Sequence, residues 1–446
     1  MQIVMLKNKF ITDALSILFL FISGIFLLLE NYVFLHASFS FFLLIILLTR
    51  KSLNTRIFMA FLFLYYALPF LNISTYRGTM SFETLKLYTL SNFAIIIPLV
   101  FTLNKKYIIK KNEVYKKIKI TPIFINVVFI HLAFVYLLVF YVFFSVGNVL
   151  FHQELRFFMS PTISYLIKSS LYIPIFIVFF ERAQFTKKNI LFFIILPLFP
   201  AFFIGSRGTV IMIVITVALL FLIKSFKSGA NYNMKNNETW IKYKNKLYLV
   251  GGVTLFLFQF IYYSRRWFSD TFVSNTELAT RYFGNANWFY LLIMPVYFSL
   301  RETIGITEKL ISKNVSNIWF EYPMFFSEVM TLLPGEQAAP GDVISQHLYT
   351  TDYPGGITPG IIGALYIDYR YWLLPFLVFI SFLIYYCYKK SIMSDIYKIM
   401  YAISLAQFFH LYHRGFFKPE YFIAYAIILF YIIISSISLK LKNGSN

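Results

Sequence analysis

The sequence predicts an all-α protein that crosses a membrane many times. Of its 446 residues, 59% are hydrophobic and 13% are charged. Mean hydropathy is +0.70, more apolar than a water-exposed surface allows a chain of this size. The apolar residues fall into separate runs near the ~20 residues a helix needs to cross a bilayer. Between them, lysine-rich loops alternate with loops that lack such runs, the charge signature of a threaded chain.

Twelve runs read as spans: 11–29, 32–49, 57–72, 87–103, 122–145, 162–180, 189–204, 208–224, 247–263, 371–388, 395–413 and 420–438. Those at 57–72, 87–103, 189–204 and 208–224 are short. The first lacks a small-residue cleavage site and is expected to be a retained helix rather than a signal peptide. With both termini cytoplasmic, every lysine run lies inside: Arg50-Lys51 with Arg56, the 104–121 loop, Lys187-Lys188, the 225–246 loop, Lys389-Lys390, and Lys440 with Lys442. One miscounted span would put such a run on the wrong side.

Residues 264–370 form an outer segment between the ninth and tenth spans, so the chain divides into 1–263, 264–370 and 371–446. Within it, Asn285–Leu300 is short for a span and Ser316–Leu333 carries Glu321 and Glu328. Both are expected to be helices on or near the membrane surface. From Pro334 to Gly360, proline and glycine predict irregular structure. Long loops inside ordered proteins are usually functional. There is no repeat and no division into two equal halves.

Net charge is +21. On a soluble protein this excess would suggest nucleic acid; here it sits in short loops between spans and excludes that partner. One cysteine, Cys387, rules out a disulfide within the chain and a cysteine metal site. No nucleotide-binding or metal motif is evident, so neither a cofactor nor a metal is expected.

On this topology 26 of the 40 basic residues are cytoplasmic, 23 of them Lys. Outside, nine of 13 are Arg: Arg77, Arg156, Arg207, Arg265, Arg266, Arg281, Arg301, Arg370 and Arg414. Lysine inside serves insertion; arginine outside needs another reason. Guanidinium is permanently charged and grips phosphate through paired hydrogen bonds, so the outer face is expected to hold an anion, such as a diphosphate.

Gly205-Ser206-Arg207-Gly208 joins the seventh and eighth spans in a tight outer turn, with the N–H groups of the eighth span pointing outward. Arg265 and Arg266 end the ninth span, where arginine also serves as an interface anchor. Arg281 stands farther into the outer segment, where an ordinary amphipathic-helix charge is an equal reading. His410, His413 and Arg414 share one helical face at the end of the eleventh span. Lys418 and Glu420 open the twelfth. That cluster suits a base or a phosphate ligand, and is poor in carboxylates for a metal. Asp368 and Arg370 precede the tenth span and could simply pair; Asp342, His347 and Asp352 are further proton acceptors. Lys168, about two turns into the sixth span, either snorkels outward or lines a polar cavity.

The arrangement resembles the Wzy-type O-antigen polymerases, the oligosaccharide repeat-unit polymerases of bacterial inner membranes. The resemblance rests on Gly-Ser-Arg207-Gly at the head of a mid-chain span, the long outer segment, and the stretch Ile357-Thr-Pro-Gly-Ile-Ile-Gly-Ala-Leu-Tyr. It covers most of the chain as an order of features. It implies a GT-C-type glycosyltransferase fold and transfer of a growing glycan from undecaprenyl diphosphate to the sugar end of a new lipid-linked unit. It also implies an active site facing the periplasm, and a flippase and a chain-length regulator as pathway partners. On that reading Arg207, Arg265 and Arg266 stabilise the leaving diphosphate, and His413, Glu420 or His347 takes the acceptor proton. Gly205, Gly208, Arg281, Asp368, Arg370, His410 and Arg414 hold substrate.

Two rivals share the topology in part. O-antigen ligases are expected to carry an outer-loop His followed eleven residues later by Gly, whereas His347 is followed there by Thr358. A lipid-linked oligosaccharide flippase should show two comparable halves and charges within its helices.

Overall fold

In the computed structural model, the residues described are 2–49, 53–102, 118, 120–149, 155, 158–179, 189, 191–204, 207–225, 274–315, 323–332, 340–349, 357–391 and 394–444. Among them the elements are helical and there is no β-strand. In chain order they are α1 (Gln2–Leu28), α2 (Tyr32–Thr49), α3 (Leu53–Ala67), α4 (Phe82–Thr102), α5 (Pro122–Ser145), α6 (Pro161–Lys168) and α7 (Leu196–Phe203). Then come α8 (Arg207–Ser225), α9 (Asn275–Phe283), α10 (Trp288–Ser312), α11 (Pro340–Leu348), α12 (Gly360–Tyr369), α13 (Leu373–Ser391), α14 (Asp395–Arg414) and α15 (Pro419–Gly444).

Local chemistry sets many of these ends. Thr121 caps α5 by accepting from the Phe124 amide at 3.3 Å, and Pro122 stands at the first turn, where its missing N–H costs nothing. Ser394 caps α14 at its start, and Gly415 ends it in the left-handed conformation at φ 94°. After α6 the chain tightens into a 3₁₀ stretch, Ser169–Phe179. Pro174 lies inside it; proline removes an amide donor and clashes with the preceding turn of an α-helix.

Among the described residues, six helical stretches are long and apolar enough to cross a membrane: Tyr32–Thr49, Pro122–Ser145, Pro161–Phe179, Trp288–Ser312, Gly360–Ser391 and Pro419–Ile437. α5 makes the setting plain. Its Phe129, Ile130, Leu137 and Phe144 are 59%, 67%, 67% and 81% exposed, an apolar face untenable in water and favourable against lipid. The chain is an all-helical, membrane-embedded protein.

Helices stand at eleven of the twelve positions read as spans, several of them shorter or less apolar than the six. The run 247–263 lies outside the described residues. Three local expectations are corrected. Asn285–Leu300 is not a short surface helix: α10 runs 25 residues, because Asn287 caps its start and its polar second half finds partners. Pro334–Gly360 is not wholly irregular, since Pro340 opens α11 and Gly360 opens α12. Of Ser316–Leu333, Met324–Leu332 is a 3₁₀ segment.

Those partners of α10 position the site. Arg301 is fully buried and donates to the carbonyls of Pro69, Tyr76 and Gly78 and to Asn72 Oδ1. Arg77 donates to both oxygens of Glu302 and, at 2.6 Å, to the Tyr349 hydroxyl. Tyr76 donates to Glu302 at 2.5 Å. Burial, and then the Glu302 carboxylate, push the Tyr76 phenol above its ordinary range. Loop 69–81 is thus fastened to the outer segment. Two of the nine arginines expected on the outer face, Arg77 and Arg301, are spent on this fastening rather than on an anion, because a buried guanidinium needs several acceptors to offset desolvation.

Candidate functional site

At one end of the bundle the end of α14 meets the starts of α8 and α15, with the end of α3 beside it. A buried polar knot there joins α6, α8 and α15. Glu420 is buried. Its Oε1 accepts from Lys168 Nζ and its Oε2 accepts from Thr209 Oγ1 at 2.7 Å. The Tyr172 hydroxyl donates to the Glu420 carbonyl at 2.9 Å. One carboxylate therefore holds the first turn of α8 against α6 and α15. Lys418 pairs with Glu328 of the 3₁₀ segment at 2.9 Å, and the Phe417 amide donates to the Phe325 carbonyl at 2.8 Å. Asp368 accepts from the amides of Met324 and Phe325, both at 2.9 Å, and so caps that segment.

The histidines lie on the same rim. His410 Nδ1 is 2.7 Å from the Tyr421 hydroxyl, with either group as donor. A Cβ added to Gly208 would stand 3.4 Å from His410 Nε2, so that nitrogen faces the head of α8 at a position without a side chain. His413 lies between hydroxyls of α10, with Nδ1 3.2 Å from Thr303 Oγ1 and Nε2 3.4 Å from Ser299 Oγ. Arg414 is half-buried and makes no hydrogen bond or ion pair among the described residues.

Glycines set this packing. Gly360 at φ 67° has the Tyr412 carbonyl 2.8 Å and Thr303 Cγ2 2.4 Å from where a Cβ would be. Gly415 would meet the Gly360 carbonyl at 2.6 Å. The Thr307 hydroxyl donates to the Pro359 carbonyl at 2.8 Å. The Ile357-Thr-Pro-Gly stretch is thereby seated on the end of α14, against the Tyr412 and His413 carbonyls.

The expected site residues therefore divide. Gly208, His410, His413, Arg414 and Glu420 come together, with Arg207 as the first residue of α8. Asp368 and Arg370 do not pair: Asp368 is the cap just described, and Arg370 donates to Asn314 Oδ1 at 3.2 Å and lies over the Tyr366 ring. Arg281 is exposed beside the Tyr282 ring. His347 and Asp342 are exposed on α11, His347 bonded to Val343 of its own helix at 2.9 Å. Gly205, Arg265, Arg266 and Asp352 lie outside the described residues. Sequence reasoning missed Tyr421, Thr209 and the role of Lys168. A lone lysine in an apolar run, with one carboxylate at the head of another, was the available signal, because intramembrane charges pair.

No protein-family model matches the chain, and neither does any curated protein or solved structure.

Proposed function

We propose that this chain is a glycosyltransferase of the repeat-unit polymerase type, with a GT-C-like fold of twelve spans in the bacterial inner membrane. It joins undecaprenyl-diphosphate-linked oligosaccharides at the periplasmic face into O-antigen or a similar surface polymer. The observation that carries this reading is Arg414. Its guanidinium has no carboxylate partner among the described residues, yet it stands by His410 and His413, and His410 in turn lies near Lys418 and against Gly208 of α8. A half-buried cation without a counter-ion is costly unless a ligand supplies the charge.

Such a site fits the chemistry. The leaving group is a lipid diphosphate that gains negative charge as the glycosidic oxygen departs. Preorganised cations and helix N-termini stabilise that charge, each donor contributing about a hundredfold or more. The energy comes from the diphosphate bond, so no nucleotide enters the step.

Deleting the gene in its native host and resolving the lipopolysaccharide on a gel tests the reading. A core bearing one repeat unit, without the ladder, is the expected result. Bare core with lipid-linked polymer accumulating would identify a ligase instead. Bare core with single lipid-linked units trapped inside would identify a flippase, and an unchanged ladder would overturn the proposal for that glycan.

A further inference from the structure

Transfer to a sugar hydroxyl requires a group that accepts its proton; the rim offers three, and His347 stands apart as a fourth candidate. Glu420 has both oxygens engaged, one by Lys168 and one by Thr209. His413 has both ring nitrogens within reach of hydroxyls on α10. His347 lies on α11, exposed and bonded to its own helix. His410 differs from all three. Its Nδ1 is held by Tyr421, and its Nε2 has no hydrogen-bond partner among the described residues and faces the bare Cα of Gly208.

We infer that His410 is the catalytic base of the proposed transfer, with Tyr421 orienting its ring and the Lys168–Glu420 pair fixing the wall it faces. This rests on the polymerase reading above. In the acting tautomer Nδ1–H donates to the Tyr421 oxygen and Nε2 presents its lone pair. The acceptor hydroxyl oxygen bonds to the donor's anomeric carbon, and its proton passes to Nε2. The bond from that carbon to the diphosphate oxygen breaks, and its electron pair leaves with the diphosphate. The imidazolium then returns its proton to water. A base held by one nitrogen, with the other unbonded among the described residues, is the arrangement that general-base catalysis uses. Among the described residues, the charged or titratable groups around His410 are Arg414 and His413 from α14, Lys418 from the turn before α15, and Glu420 and Tyr421 from α15.

Tyr421 and Glu420 are positioning residues here. Gly208 has a specific part: alanine would put a methyl 3.4 Å from Nε2 and cover the nitrogen without removing any polar group.

The test uses the full-length protein in vesicles, with lipid-linked single repeat units as substrate. His410→Gly is expected to slow polymer formation by about a hundredfold or more, and added imidazole is expected to restore it in proportion to its concentration. His413→Gly, whatever it loses, is not restored by imidazole. Tyr421→Phe is expected to lower kcat and leave KM near the parent value. His410→Asn serves if the glycine variant does not fold, and must show the same loss with an unchanged melting temperature. Activity of a folded His410 variant within about twofold of the parent, against the hundredfold or more that a general base supplies, overturns the inference. So does a loss that imidazole does not relieve. A parent protein that makes no polymer overturns the polymerase reading itself, which separates the two failures.

Discussion

Lys168 and Glu420 form an ion pair inside the bundle, the lysine from α6 and the carboxylate from the first turn of α15. Their side chains are 16% and 7% exposed, so a charge that loses its partner stays largely shielded from water. Removing one partner of a buried pair costs about 3–5 kcal/mol, mostly the penalty of the charge left behind. Lys168→Met and Glu420→Gln are each expected to lower the melting temperature in detergent. The double variant Lys168→Met/Glu420→Gln is expected to lose less than the sum, because it leaves no orphaned charge. Additive losses would mean that the two residues act independently.

Arg301 predicts a sharper structural loss. It is fully buried and reaches three backbone carbonyls and one amide oxygen of residues 69–78. Arg301→Met leaves those acceptors unmet in the interior, at about 1–3 kcal/mol for each uncompensated group. Arg281→Ala, at an exposed position, should stay within about 0.5 kcal/mol of the parent. Thermal melts of the two variants side by side check the contrast; equal melting temperatures would sink it.

The glycine crossing can be tested against a glycine in open space. Gly415→Ala would drive a methyl to 2.6 Å from the Gly360 carbonyl, and Gly360→Ala would drive one to 2.8 Å from the Tyr412 carbonyl. Both also lie in the left-handed region, so overpacking of about 1–3 kcal/mol adds to backbone strain. Gly78, at φ 77°, has nothing within 4 Å, and Gly78→Ala should cost only about 1–2 kcal/mol. The yield of folded protein after membrane extraction should follow that order.

Asp368 caps the 3₁₀ segment through the Met324 and Phe325 amides. Asp368→Ala should destabilise the protein by about 0.5–2 kcal/mol, the usual cost of a lost cap. Local hydrogen exchange at the Met324 and Phe325 amides should rise more than elsewhere. Unchanged protection at those two amides would contradict the capping role.

Arg414→Ala should do the opposite of Arg301→Met. With no hydrogen bond or ion pair to lose among the described residues, its melting temperature should hardly move. The rate of polymer formation should fall by about a hundredfold or more if Arg414 faces the developing diphosphate charge. A variant that is stable and fully active would remove Arg414 from the site.

Much of the helical frame was legible, because bilayer thickness imposes one period of apolar sequence on every span. The run 122–145 is α5 with the same bounds, and 395–413 differs from α14 by one residue at its end. The His410, His413 and Arg414 cluster was also legible, since helical spacing puts those positions on one face. The length of α10 was not. Its second half, Arg301 to Lys309, reads as polar surface until loop 69–81 supplies the partners that bury it. The same holds for Asp368, whose neighbours in sequence suggested Arg370 while its amides come from a segment more than forty residues away. Nor does any local pattern separate His410 from His413; only their neighbours do, the head of α8 at His410 and the hydroxyls of α10 at His413.

The most direct measurement is made with the purified protein in vesicles that contain only undecaprenyl-diphosphate-linked single repeat units. The account predicts lipid-linked products of two, three and more units, with one undecaprenyl diphosphate released for each linkage formed and no nucleotide required. Units that remain single, with no diphosphate released by a folded protein, would contradict it.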